Sequence, residues 1–303
     1  MTHWRRIILL GLTLFSTGIA ARSYDQIIED GTITVAVYRD FAPYSYKDAN
    51  GEATGFDVEL ARLLAKGLGV KPDIHWMTPD ETVDDDMRNH LWKGSNLTSE
   101  DGRRIKADVM MRVPYDRAYS TQRDDVGLPA HERVHMFAPY QRERWLVAYS
   151  PDRVNQVDTV ARLQYHPVGV EVDSIPQFYL TTAFGGRFRN KSHSFPSIAD
   201  AFNAMSRGEV DIVMGMASQL QWLHAQTPEK SRLSGIPFPM LGKPFWELGM
   251  AVDSHYRQLS YALEDALTPL IVSGELTTLA GKYGIEYLVP ELYAGLITDE
   301  SAQ

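Results

Sequence analysis

The spacing of apolar positions changes period repeatedly along the chain. Thr32–Tyr38, TITVAVY, is rich in β-branched residues and predicts a strand. After a turn at Lys47–Gly51, the apolar positions Val58, Ala61, Ala65 and Leu68 fall at helical spacing, predicting a helix over Asp57–Leu68 that Gly69 closes. Strands are predicted at Ile74–Trp76 and Ala107–Met111 with a helix including Met87–Trp92 between them, and Arg144–Tyr149 is a further extended run. The second half repeats this grammar. A strand at Pro167–Val172 precedes a helix at Pro176–Ala183, and Ser197–Asp200 resembles a capping box opening a helix to Arg207, closed by Gly208. Val210–Met214 and Leu248–Val252 read as strands, Leu259–Ser273 as a helix stopping at Gly274, and Glu275–Tyr283 as a final helix ending at Gly284. Strand alternating with helix argues for an α/β architecture. Two polar stretches, Ser95–Lys106 and Ser120–Pro129, interrupt the pattern and read as loop insertions.

The first residues change the picture of where the chain works. His3, Arg5 and Arg6 form a basic start, Ile7–Phe15 an apolar run too short to span a bilayer, and Gly18-Ile19-Ala20 a small-residue cleavage site. Residues 1–20 therefore read as a signal peptide, and the remainder as a protein exported to a periplasm. Arg5 and Arg6 leave with that segment, taking the net charge from −9 to −11. No basic patch for nucleic acid is apparent. Zero cysteines exclude a disulfide framework and lipid attachment through an N-terminal cysteine. The acidic triplet Asp84-Asp85-Asp86 reads as the solvated start of a helix.

One stretch, HERVHMFAPY at 131–140, carries competing chemistries. His131-Glu132-x-x-His135 fits the zinc-protease pattern, which requires both imidazoles on one face of a helix. Pro129 and Pro139 bracket the run and Val134 and Phe137 favour extended backbone, so no metal site is expected there.

Four other stretches resemble the family 3 extracytoplasmic solute-binding proteins of the polar amino-acid type. They are GTITVAVYRDFAPYSYKDANGEATGFDVELARLLAKGLGV at 31–70, HPVGVEVDSIPQFYL at 166–180, AFNAMSRGEVDIVMG at 201–215 and LEDALTPLIVSGELTTLAGKYG at 263–284. Arg133, Phe137, Pro139 and Tyr140 resemble the family's "E-R" and "F-x-x-P-Y" elements. The resemblance implies a two-lobed periplasmic-binding-protein fold (type II) with two crossing hinge strands. Lobe one would comprise residues 21–143 and 253–303, lobe two residues 150–244, and the crossings 144–149 and 245–252. It implies a monomer that closes on a ligand and serves an ABC importer, with no cofactor and no catalysis.

The ligand residues it implies are Phe41 as an aromatic lid, with Tyr44 beside it, and Asp173-Ser174 at a helix start in lobe two. Arg112, followed by Tyr115, stands where small residues normally line the cleft, and is a candidate contact whose alternative reading is a salt bridge across strand ends. The carboxylate-gripping arginine is either Arg133 or Arg117. Met216 occupies the place of an aspartate that takes an α-ammonium, so the ligand is expected not to be a standard amino acid. Two further jobs fit the fold. One is an accessory protein of a periplasmic PQQ-dependent (quinoprotein) alcohol dehydrogenase, suggested by DVMMRVP at 108–114 and KYGI at 282–285. The other is a dehydratase-like enzyme using Glu171 or Asp173 as acid or base.

Overall fold

The computed structural model describes residues 22–94 and 105–300, so the segment read as a signal peptide and most of the first insertion lie outside the described residues. In chain order the strands are β1 (Thr32–Tyr38), β2 (Tyr46–Lys47), β3 (Ala53–Thr54), β4 (Lys71–Met77), β5 (Val109–Pro114), β6 (Val134–Tyr149), β7 (Val168–Glu171), β8 (Ser192–Phe195), β9 (Ile212–Met216), β10 (Arg232–Ser234) and β11 (Phe245–Asp253). The helices are α1 (Tyr24–Asp30), α2 (Phe56–Gly67), α3 (Val83–Met87), α4 (Arg117–Ser120), α5 (Ile175–Gly186), α6 (Ile198–Arg207), α7 (Ala217–Gln226), α8 (Arg257–Val272), α9 (Glu275–Lys282) and α10 (Glu291–Glu300).

One sheet runs through the molecule in the order β4-β1-β5-β11-β6-β9-β7-β8, with β10 also on β6. Its middle consists of two antiparallel strands. β6 pairs with β11 from Val134 to Arg144, then with β9 from Trp145 to Tyr149. A single strand thus serves both halves. The first half buries the apolar faces of α2 and α8 with β1, β5 and β11 around Phe56, Leu60, Met250 and Leu263. The second half keeps separate apolar groups on either face of its sheet, around Val168, Met214 and Leu180 and around Ile198, Phe202 and Val213.

Local chemistry explains the ends of these elements. The side chain of Ser197 accepts the Asp200 N–H at the start of α6, and Gly208 takes the left-handed conformation (φ 83°) that closes it. The Asp84–Asp86 triplet does start a helix, but it is not simply solvated. Asp86 is buried and accepts from the Tyr38 hydroxyl at 2.8 Å and the Asp80 N–H at 2.7 Å. HERVH forms a turn leading into β6, not a helix, with His131 Nε2 on Asp84 Oδ1 at 2.8 Å and His135 stacked on Phe137. The two imidazoles therefore do not share a helical face. Of the second insertion, Ser120 ends α4 and the rest is a loop, closed by a bridge between Arg123 and Pro129.

Candidate functional site

Three of the residues singled out in the sequence meet at the hinge. The turn after β1 stacks Phe41 against Tyr44, centroids 4.9 Å apart. The Arg112 guanidinium lies over both rings, 3.5 Å from the centre of Tyr44 and 5.5 Å from that of Phe41. Arg112 reaches this place from within β5 with a left-handed backbone (φ 60°), a conformation costly for a side chain of this size. It is held there on several sides. Its N–H donates to the Tyr140 hydroxyl at 3.0 Å, and its Nη1 donates to Gln141 Oε1 at 2.8 Å and lies 3.7 Å from Asp57 Oδ2.

The pairing continues into the second half. Tyr140 donates to Asp57 Oδ1 at 3.1 Å, and Tyr44 donates to Glu143 Oε2 at 2.8 Å. At the start of α7, the Ser218 hydroxyl accepts from Gln141 Nε2 at 2.9 Å, and its N–H donates to Glu143 Oε1 at 3.4 Å. The cluster is almost fully buried: Arg112 is 6% exposed, Glu143 1% and Asp57 0%. Burial alone would lower the Arg112 pKa, but Asp57, Tyr44, Tyr140 and Glu143 more than offset it and hold the pKa above its ordinary value. Burial pushes the Asp57 carboxyl up, against the pull of Arg112. It also drives the Tyr44 and Tyr140 hydroxyls well above the usual tyrosine range. Both tyrosines are therefore neutral donors at physiological pH.

The remaining residues are distributed around this centre. Met216 ends β9 opposite Trp145 and stands immediately before α7, two residues from Ser218. Ser174 caps α5, its hydroxyl accepting the Gln177 N–H at 3.3 Å and donating to the Glu171 carbonyl at 2.6 Å. Asp173, exposed and left-handed (φ 56°), donates its N–H to Gln177 Oε1 at 2.7 Å. The Glu171 carboxylate accepts the Ile198 N–H at 3.2 Å, and burial raises its pKa. Tyr115 follows β5, its N–H on the Glu247 carbonyl at 2.9 Å, and lines a groove with Asp116, Lys243 and Trp246. Arg117 lies two residues on, exposed and without an ion pair among the described residues.

Arg133 is not brought to this centre. It sits just before β6, over the Trp92 ring at 5.3 Å and 3.8 Å from Asp253. Against β11, Val134 stands opposite Asp253 and Gln141 opposite Leu248, five strand residues away, so the two ends lie roughly 17 Å apart. Sequence reasoning also missed Asp57, Gln141, Glu143 and Ser218 as members of the cluster. Gln141 and Glu143 stand in a polar run, QRER, whose alternation shows only in the structure, where these two are buried and Arg142 and Arg144 are half-buried.

Residues 33–286 match the sequence profile of the bacterial extracellular solute-binding proteins, family 3. The chain is 45% identical over 47 residues to the cyclohexadienyl dehydratase of Pseudomonas aeruginosa, covering 16% of this chain and 18% of that protein. It is 37% identical over 65 residues to a probable amino-acid ABC transporter-binding protein of Haemophilus influenzae, covering 21% and 25%. It is 30% identical over 82 residues to the L-cystine-binding protein TcyJ of Escherichia coli, covering 24% and 31%. Each match spans less than a third of the curated relative's length. Among solved structures, an ancestral cationic amino acid solute-binding protein superposes with a TM-score of 0.64 at 21% identity, over 86% of this chain and 98% of its own. An amino acid ABC transporter substrate-binding protein of Streptococcus pneumoniae bound to L-arginine does so with 0.61 at 16% identity, over 87% and 98%. At these identities the likeness shows the fold.

Proposed function

The chain belongs to the bacterial extracellular solute-binding proteins, family 3, and from that premise we propose that it captures a small polar or anionic solute between two lobes in the periplasm and presents it to an ABC importer. The observation that supports this reading is the hinge cluster. Phe41, Tyr44 and Arg112 from lobe one and Ser218 from lobe two all bond to or stack on groups tied to Gln141 and Glu143 of one crossing strand. Lobe placement and the wall of the site then depend on the same bonds. A solute touching Phe41 and the start of α5 biases the lobes toward the closed arrangement.

Within this reading Arg112 supports the aromatic wall from beneath, because its Nη1 is already engaged by Gln141 and Asp57. The exposed Arg117 and the N-terminus of α5 at Ser174 meet the anionic end of the solute. Met216 offers no partner for an ammonium, which favours carboxylates lacking an α-amino group. Calorimetry on a panel of α-amino acids and their deaminated counterparts tests this. Wild type should prefer the deaminated acids, Arg117→Ala should weaken them at least tenfold, and Met216→Asp should shift preference toward amino acids. Tight binding of an unmodified α-amino acid that Met216→Asp leaves unchanged would sink the reading.

The match to a dehydratase gives the catalytic alternative its footing, and burial raises the Glu171 pKa, the direction that suits a general acid. Its carboxylate, however, is engaged with the Ile198 N–H at the start of α6, a structural task. We therefore favour binding over catalysis. Turnover of a cyclohexadienyl substrate that Glu171→Gln abolishes would reverse that preference.

A further inference from the structure

The two halves of the molecule also meet away from the Arg112 cluster. α7 belongs to the second half, where Ala217, Leu220 and Leu223 pack with Ile198 and Val213. Trp222 on the same helix reaches across. It packs against the first half's apolar group around Phe56 and Leu263 as well as its own, and its ring stands 5.9 Å from that of Tyr46 in β2. Gln221 and Glu286 bond in both directions: the Glu286 N–H donates to Gln221 Oε1 at 3.1 Å, and Gln221 Nε2 donates to Glu286 Oε2 at 3.3 Å. Arg144 of the crossing strand β6 donates to the same Glu286 oxygen at 2.6 Å. Ala225 completes the contact, so near Gly284 that a Cβ added there would stand 2.6 Å from its own. None of these residues is assigned above to the solute.

We propose that this contact is a latch between the lobes, in which Gln221, Trp222 and Ala225 hold α7 against Tyr46 and residues 284–286 and so set how readily the lobes turn. The inference rests on the two-lobed, closing protein argued above. α7 starts at the crossing strand, where Met216 pairs with Trp145, and Ala225 stands nine residues further on, roughly 13 Å along the helix. A rotation of lobe two about β6 therefore displaces this far end more than the start. The contact cannot follow in either direction. Moving α7 inward drives Ala225 into Gly284, whose neighbours Tyr283 and Ile285 are fixed in the core of the first half. Moving it outward strips Trp222 from Tyr46 and parts Gln221 from Glu286. Close-packed interfaces of this kind switch between arrangements and do not deform smoothly. A solute that turns the lobes must offset the loss of the latch, and its apparent affinity falls with the share of molecules that stay latched.

The sequence contains no cysteine, so the full chain can carry two spin labels with no competing thiol, at the exposed positions Lys66→Cys on α2 and Asn203→Cys on α6. Pulsed electron paramagnetic resonance, with no solute present, reads the distance between them. The labelled chain should show one dominant distance. Gln221→Ala removes both bonds to Glu286 and should enlarge a second population on the order of tenfold. Ala225→Leu wedges the contact from the helix side and should shift the distance. Gln226→Ala, at the end of the same helix and bonded to the Trp222 carbonyl, should change nothing. A single unchanged distance in both Gln221→Ala and Ala225→Leu would overturn the proposal. So would an equal change in Gln226→Ala, which would place the cause within the helix and not in its contact. These outcomes are read without solute, so they stand apart from a failure of the deaminated acids to bind, which would sink the functional reading alone.

Discussion

Truncating Arg112 tests whether the hinge cluster stabilises the fold. Arg112→Ala removes the only guanidinium among groups that include two buried carboxylates, Asp57 and Glu143. Glu143 keeps its donors from Tyr44, Ser218 and the Arg144 N–H at 2.9 Å. Asp57 is worse placed: Tyr140 still serves Oδ1, but Oδ2 has no hydrogen-bond partner and depends on the charge 3.7 Å away. Breaking a buried ion pair from one side costs about 3–5 kcal/mol, because the abandoned charge stays buried. For a chain of this size, about 2–4 °C per kcal/mol puts the melting temperature lower by roughly 6–20 °C. Thermal unfolding followed by circular dichroism measures the drop. Adding Asp57→Asn to Arg112→Ala should recover much of it, since a neutral amide replaces the stranded charge. A loss under about 2 °C, or no recovery in the double variant, would refute the reasoning.

Other consequences are open to direct measurement. His75, hydrogen-bonded to His90 at 3.0 Å, has its pKa lowered by burial to about 4, from an ordinary 6.5. The unfolded chain therefore binds a proton that the folded one refuses, and stability should fall between pH 6.5 and about 4. The loss is on the order of 2–3 kcal/mol; a His75→Gln variant whose urea midpoint falls just as steeply across that window would contradict this. Gly55 holds φ 117° with the position of a Cβ only 2.3 Å from the Tyr44 carbonyl oxygen. Gly55→Ala should thus cost more than about 2 kcal/mol in urea unfolding, and an unchanged midpoint would show that the turn yields. His131 and His135 do not share a helical face, so the protein should purify without stoichiometric zinc and a chelator should leave its melting temperature alone. One equivalent of zinc, lost with His131→Ala, would disprove this.

The fold was more legible in the sequence than the site, and the reasons are physical. Where periodicity carried the signal, as in TITVAVY, the predicted and observed strand coincide at Thr32–Tyr38. The helix expected at Asp57–Leu68 is displaced by one residue, to Phe56–Gly67. Short or uniformly buried segments were harder. α7 buries Ala217, Ser218, Gln219, Leu220 and Leu223 with little amphipathic contrast, so nothing in its pattern announces a helix. α10 lies beyond the point where the reading ended, at Gly284. The helix including Met87–Trp92 divides into α3 and a turn of π-helix, a distinction spacing does not resolve. The site depends on partners that no local pattern reveals. Arg112 reads as a cleft cation until the fold places Asp57 and Gln141, from 55 residues before and 29 after, against it. Arg133 shows the converse: its motif is local, and the strand that follows carries it away from the hinge.

The position of β11 has a consequence for the order in which the chain can become folded. β11 lies between β5 and β6 in the sheet, yet it is built from residues 245–253, after the whole of lobe two. Until those residues are available, β5 and β6 have no strand between them, and their backbone groups are open edges. Residues 150–234 contribute β7 to β10 in one continuous run and require only the end of β6 from the other half. Lobe two can therefore mature first, with lobe one waiting for its own centre. A chain ending at residue 244 should resist proteolysis across residues 150–234 while its earlier residues are digested, and uniform protection would show that lobe one does not need its central strand.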